Sequence, residues 1–398
     1  MNWSKYSVED RKIPAITVFA AILIIASLYM QSKLVLFVAI FFLISFYINH
    51  IYLSKVGDRL IFTNNIEKKR FFINNKGNWT LSFANQGVPI LKGELTVIFD
   101  ENVSPNDLKI EPSLSMYEIN VPFSIFSGQT KNISIPYTAM ARGTARIRKL
   151  EIRIPSFLGF GEVMLENKDR IKQEAIIYPM SIPVHGLHER LSNLQGVNPV
   201  PTSVYEDRLG PLGTRDYTPS DSFNRIHWKA SARKHELQTK IYERISEKGW
   251  NISVNVSDGY AVTSLLEQIL SSVTEIAYFA YRQQIPYSLC INIRTAGSTP
   301  FYYISKGEGK EHLQKVLETL ASINLYHSSF PYDKMLSFYS RHLAVQPTLI
   351  HSGNKSIETE AHLFNLTARG VEMLELLIEG EHAVLVSLNM AKGRGKIL

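Results

Sequence analysis

Residues 213–243 read GTRDYTPSDSFNRIHWKASARKHELQTKIYE, the stretch densest in charged and aromatic side chains, and it divides a β-patterned half of the chain from an alternating α/β half. Thr218-Pro219-Ser220-Asp221 carries turn and capping residues, which predicts a helix over about 222–233. On that helix Arg225, Lys229 and Arg233 recur every fourth residue as a basic face. Phe223, Ile226 and Ala230 fall at i, i+3 and i+7 as an apolar stripe. Leu237, Thr239 and Ile241 then alternate with Gln238, Lys240 and Tyr242, the pattern of a strand.

The ordered set Gly213, Arg215, Asp216, Tyr217, Pro219, Asp221, Arg225, Ile226, His227, Trp228, Lys229, Ala230, Ser231, Ala232, Arg233, Leu237, Lys240 and Glu243 resembles the signature of the DUF58 family, which are bacterial membrane-anchored proteins. Ser220 departs from it, standing where the family has glycine. The resemblance extends upstream through Ala141-Arg142-Gly143, Phe157-Leu158-Gly159-Phe160 and Ile176-Ile177-Tyr178-Pro179, although Pro155-Ser156 replaces the family's Asp-Pro before the Phe-Gly run. It implies a C-terminal domain similar to von Willebrand factor A. It also implies two partners, a MoxR-type AAA+ ATPase and a membrane protein with a transglutaminase-like domain. It implies no reaction.

Upstream of the motif, 59–179 carries short alternating runs such as 80–83, 91–99, 131–137 and 145–154, punctuated by Asn, Gly, Pro and Asp. Strands at such spacing predict an antiparallel β-sandwich. Earlier still, 14–30 and 34–48 are apolar and separated by Gln31-Ser32-Lys33. Each approaches the ~20 residues a helix needs to cross a bilayer, so 1–55 reads as a transmembrane helical hairpin. Basic residues flank its two outer ends, Lys5, Arg11 and Lys12 before it and Lys55, Arg59, Lys68, Lys69 and Arg70 after it. The positive-inside rule then puts both termini and the soluble domains in the cytoplasm of a multi-pass membrane protein. Downstream of the motif, strand patterns at 251–256, 287–293, 301–304, 348–351 and 383–388 interleave with helical patterns at 263–282, 310–322, 332–342 and 358–367. That order predicts a mostly parallel, Rossmann-like sheet with helices on its faces. The expected chain is an α+β multidomain protein: hairpin 1–55, sandwich 56–181, connector and signature 182–249, and α/β domain 250–398.

With 45% hydrophobic and 20% charged residues, the chain can bury cores in each of those domains. Its +7 net charge does not by itself select nucleic acid, because 205–248 holds nine Lys or Arg against seven Asp or Glu. Bidentate pairing of Arg215 and Arg225 with Asp216, Asp221 or Glu243 accounts for that balance, and Arg and Trp also suit the centre of a protein interface. Arg215, Asp216, Tyr217, Asp221, Arg225, His227, Trp228, Lys229, Arg233, Lys240 and Glu243 are therefore the candidate interaction residues. Asp216, His227 and Ser231 supply the residue types of a hydrolase without a Gly-x-Ser-x-Gly elbow, and no phosphate-cradling glycine loop occurs. In the von Willebrand-like reading a Mg²⁺ site takes the form Asp-x-Ser-x-Ser. Here the matching stretch is Asn255-Val256-Ser257-Asp258-Gly259, with Asp258 as the one carboxylate left to serve a shifted site. His185 and His188 lack acidic or cysteine partners at metal spacing, and the single cysteine, Cys290, sits in an apolar run that predicts a buried thiol. The function expected is that of a membrane-tethered adaptor or scaffold.

Overall fold

A computed structural model describes residues 3–8, 13–31, 33–105, 115–156, 159, 161–192, 206–244, 249–259, 261–380 and 382–388. The chain divides into two compact units, Met1–Tyr178 and Pro179–Leu398. The fold is α+β, with an antiparallel sandwich-like region first and a mixed, mainly parallel sheet second.

The first unit runs β1 (Trp3–Val8), α1 (Ile13–Met30), α2 (Lys33–Lys55), β2 (Leu60–Thr63), β3 (Glu67–Phe71), β4 (Lys76–Asn85), β5 (Ile90–Asp100), β6 (Val103–Pro105), β7 (Met116–Ile125), β8 (Thr130–Ala139), β9 (Gly143–Pro155), β10 (Glu162–Asn167) and β11 (Gln173–Ile177). β9 organises one sheet. Its later residues pair with β10 and β5, its first residues pair with β11, and β7 extends the sheet beyond β5. β11 in turn runs parallel to β3. The facing sheet is β2-β4-β8-β6. Alternate residues point inward, so Trp79, Leu81 and Phe83 of β4 meet Leu95, Val97 and Phe99 of β5 in one core. Trp79 lies 4.3 Å from the Tyr137 ring and 5.0 Å from that of Phe99. A register irregularity beside Phe99 lets both Ile147 and Leu150 of β9 face inward, although they are an odd number of residues apart.

α1 and α2 pack against each other, and α2 is long and apolar enough to cross a membrane. Their outward side chains are apolar too, including Phe19, Ile25, Phe37 and Phe41. The strand before them was not expected from the sequence. β1 joins the sandwich antiparallel to β10, from Trp3 opposite Asn167 to Val8 opposite Glu162. Lys5 locks this arrangement by donating to the Ser54 carbonyl and pairing with Asp58 at 2.8 Å, both beside the end of α2.

The second unit runs β12 (Val184–His185), α3 (Leu187–Ser192), β13 (Glu206–Asp216), α4 (Trp228–Lys234), β14 (Gln238–Arg244), β15 (Trp250–Val254), β16 (Ser257–Asp258), β17 (Ala261–Val262), α5 (Leu266–Arg282), β18 (Tyr287–Arg294), β19 (Phe301–Gly307), α6 (Gly309–Ser322), α7 (Tyr332–His342), β20 (Thr348–Ser352), α8 (Ile357–Ala368), β21 (Glu372–Glu379) and β22 (His382–Ser387). Its main sheet has the order β12-β22-β21-β20-β15-β18-β19. β21, β20, β15 and β18 are parallel, with β15, β18 and β20 almost wholly buried and β21 buried over Met373–Leu376, whereas β19 and β22 run antiparallel at the flanks. Strands covered on both faces read as continuous apolar runs, which is why β15, β18 and β20 were legible. Part of the expected connector belongs to this sheet: β12 pairs with β22, and Arg190 of α3 donates to Ser387 Oγ at 2.6 Å. His185 and His188 diverge, one ring against His382 and the other against Phe279.

A polar cluster lies inside the sheet. Ser253 Oγ and the Tyr332 hydroxyl are 2.8 Å apart, that hydroxyl meets His351 Nδ1 at 2.7 Å, and His351 Nε2 lies 3.0 Å from the Gly353 carbonyl. Burial, with the Lys355 charge second, pushes the His351 pKa down to about 4. Burial likewise pushes the Cys290 thiol up to about 12.

Candidate interaction site

The motif folds on itself as a two-stranded ribbon with a capped helix between the strands. β13 and β14 pair from Asp216 opposite Gln238 back through Arg215–Thr239, Thr214–Lys240 and Gly213–Ile241, with an irregularity at Pro211. The helix expected over 222–233 is corrected: Phe223–Arg225 forms one 3-10 turn, Ile226 and His227 are extended or irregular, and the α-helix starts at Trp228. The break has a cause in hydrogen bonding. Ile226 bridges Thr239, and the His227 N–H donates to the Gln238 carbonyl at 2.7 Å, so both residues are drawn onto the ribbon. Arg225 therefore does not share a helix face with Lys229 and Arg233. Phe223, expected on the buried stripe, is exposed.

Two polar hubs hold this shape. The Asp221 carboxylate takes the Arg215 guanidinium at 2.5 Å on one oxygen. Its other oxygen accepts from the Thr218 N–H at 3.0 Å, the Thr218 hydroxyl at 2.9 Å and the Thr239 hydroxyl at 3.1 Å. The Arg215 hydrogen bond first, and the Thr218 N–H next, hold the Asp221 carboxyl well below the usual carboxylate range. Gln238, fully buried, is the second hub. Its side-chain amide donates to Asp216 Oδ1 at 2.6 Å, its backbone N–H donates to Ser231 Oγ at 2.8 Å, and its Oε1 accepts from Lys234. His227 caps α4, its Nδ1 accepting from the Ala230 N–H at 3.1 Å, and His235 ends the helix in the left-handed region.

Gln238 and Thr239 were not singled out in the sequence. Both are buried, while Leu237 and Ile241, set on the same side of the alternation as Thr239, are exposed. The reversal follows from the ribbon having only two strands, with the short helix and the Asp221 loop closing over its polar residues. Tyr217 is half-buried and its N–H donates to the Leu237 carbonyl. Lys240 is half-buried on β14, which also carries Glu243.

The outside of the motif carries an aromatic pair and two cations. Trp228 is 59% exposed and Phe223 68%, their rings edge to face at 5.6 Å. Lys229 and Arg233 follow on α4, also exposed. The hydrolase residues do not assemble for catalysis. The Ser231 hydroxyl donates to the His227 carbonyl rather than to its ring, and Asp216 is engaged by Gln238.

At the carboxyl ends of β15 and β20, where the chain leaves the sheet in opposite directions, lies a crevice lined by Asn255, Ser257, Thr263 and Asn354. Asn255 Oδ1 already accepts from the Ser257 N–H at 3.0 Å, the Ser257 hydroxyl at 2.6 Å and Asn292 Nδ2 at 2.8 Å. A divalent cation needs oxygen lone pairs facing it, and here hydrogen-bond donors occupy that place. Asp258 does not line the crevice, and its Oδ1 accepts from Asn354 Nδ2 at 3.3 Å. Asn255, Ser257 and Asp258 do not fit a Mg²⁺ ion.

No protein-family model and no curated protein matches the chain. Among solved structures, the chain is similar to the ASH / PapD-like domain of human CEP192 (PapD-like domain 7) at 9% identity and TM-score 0.18, covering 30% of this chain and 84% of that one. It is similar also to Spo0M, the sporulation control protein of Bacillus subtilis, at 14% identity and TM-score 0.17, covering 35% of this chain and 58% of that one.

Proposed function

We propose that this chain is a membrane-tethered, non-enzymatic adaptor of the DUF58 kind, whose signature motif is the docking face for a partner protein. One observation carries the reading. Within the motif Asp216, Asp221 and Gln238 are satisfied internally, while Phe223, Trp228, Lys229 and Arg233 are left outward, and exposed aromatic and cationic side chains of this kind make interface hot spots. The family resemblance names the partners to try, a MoxR-type AAA+ ATPase and a transglutaminase-like membrane protein. The C-terminal domain is read as von Willebrand A-like in topology with its cation position closed by asparagine.

The tether is read as a two-span hairpin. β1 precedes α1 and pairs with β10, which follows α2, so the chain on both sides of the helices belongs to one sheet. That supports an even number of crossings and an uncleaved N-terminus, and the flanking cations support a cytoplasmic placement for both units.

The test is crosslinking in the native membrane with wild type and Trp228→Ala. Because Trp228 is exposed, its truncation is expected to change stability by no more than ~0.5 kcal/mol. Loss of AAA+ ATPase capture with unchanged folding supports the docking face; capture at the wild-type level from the variant refutes it.

A further inference from the structure

The sandwich has a second exposed surface, at the end from which the helices leave. Val8 pairs with Glu162 at the last rung before α1, and Glu162 pairs with Pro155 across the same end of the sheet. α2 arrives there too: Tyr52 and Val56 are in the sandwich core, Val56 bridges Val88, and the Tyr52 hydroxyl hydrogen-bonds the Leu91 backbone. Two turns lie beside that helix end, 86–89 and 126–129. Both are fixed by the buried Asn85. Its side-chain amide donates to the Val88 carbonyl at 2.9 Å, its Oδ1 accepts the Gly87 N–H at 3.0 Å, and its carbonyl accepts the Gly128 N–H at 2.7 Å.

Phe126, on the second turn, and Leu91, at the start of β5 just after the first, face outward at 55% and 47% exposure. Around them Lys55, Arg59 and Lys92 are exposed, and no ion pair joins any of the three to a carboxylate among the described residues. The Arg59 carbonyl accepts the Gln86 N–H at 3.1 Å, which ties that residue to the same turn. Apolar tips ringed by free cations, continuous with helices that are themselves apolar outside, have the chemistry of the anionic headgroup region.

We propose that this end of the sandwich is a lipid-contact surface: Leu91 and Phe126 enter the interface of the bilayer that holds the hairpin, and Lys55, Arg59 and Lys92 bind its anionic headgroups. This rests on the hairpin being in the membrane. The domain is then seated on the bilayer in a fixed orientation rather than hanging from its helices.

The full chain, reconstituted in nanodiscs of phosphatidylcholine and phosphatidylglycerol containing a doxyl-labelled lipid, carries an environment-sensitive dye on one introduced cysteine. Ser127→Cys reports the surface, Phe41→Cys reports α2, and Met140→Cys, exposed at the opposite end of the sandwich, is the control. The native Cys290 is buried with a raised pKa and stays unlabelled. Expected are a blue shift and quenching at 127 and 41 with none at 140, and loss of quenching at 127 when Arg59→Glu and Lys92→Glu, or Phe126→Asp, are added. Quenching at 41 without quenching at 127 overturns the lipid surface and leaves the hairpin reading standing. Absence of quenching at 41 overturns both. Quenching at 127 that is unchanged by the charge reversals overturns the headgroup contact.

Discussion

Asp221 and His351 are single residues on which separate parts of the second unit depend, and their titrations run in readable directions. The Asp221 carboxylate is held ionised by Arg215 and by N–H and O–H donors, so its folded pKa lies below its unfolded one. Its contribution is complete above the unfolded value and is lost as pH falls through the folded one. Protection of the amides across Tyr217–Thr239, relative to unfolded exchange at the same pH, should therefore stay high at pH 6 and fall below about pH 4, the ordinary carboxylate range. Asp221→Asn should show low protection at every pH. His351 is buried and neutral with a pKa of about 4. The unfolded chain binds a proton first, so stability is full above about pH 6.5 and falls as pH drops toward the folded value, by at most about 1.4 kcal/mol per unit. Urea midpoints of the full chain in detergent at pH 7.5, 6 and 5 check this, and His351→Asn should flatten the profile between those values.

At the scale of elements, the loops after β15 and β20 come into close contact at Gly353, beside the crevice. Gly353 has φ +100°, and a Cβ there would meet the Asn255 carbonyl oxygen at 2.0 Å. Gly380, at φ +63°, has nothing within 4 Å of a Cβ. Gly380→Ala should cost about 1–2 kcal/mol from the left-handed backbone alone. Gly353→Ala should cost clearly more by urea denaturation and should disturb the Asn255–Asn292 network seen by amide side-chain NMR. The same scale explains what could be read from the sequence. Buried parallel strands such as 287–293 and amphipathic helices such as 310–322 announce themselves because one physical term, burial, sets their pattern. The motif obeys a different one. Its helix begins at Trp228 rather than Ser222 because Ile226 and His227 hydrogen-bond to residues across the ribbon, and local spacing carries no record of those partners. Thr239 and Gln238 were invisible for the same reason, being polar residues buried by long-range hydrogen bonds. β21 went unread because Met373 to Ile378 is interrupted by Glu375, whose carboxylate pairs with Lys355 at 2.6 Å.

For the whole molecule, the proposed two-span topology rests on the pairing of β1 with β10, and a labelling experiment tests it. Tags at the N-terminus and the C-terminus should be equally protected, or equally digested, when protease is added to intact cells and then to opened ones. Opposite protection of the two tags would mean a single crossing. Lys5→Glu should loosen the N-terminal strand by removing its bond to Asp58, and faster proteolysis before α1 with an unaltered C-terminal unit is the expected sign. The same pairing has a consequence in time. Trp3–Val8 cannot reach its partner until Glu162–Asn167 has been synthesised, with both apolar helices lying between them in sequence. If the two helices form the proposed two-span hairpin, this strand waits unpaired on the side where translation proceeds while the hairpin is being inserted. On that proposal, membrane insertion comes before the sandwich gains its β1 edge.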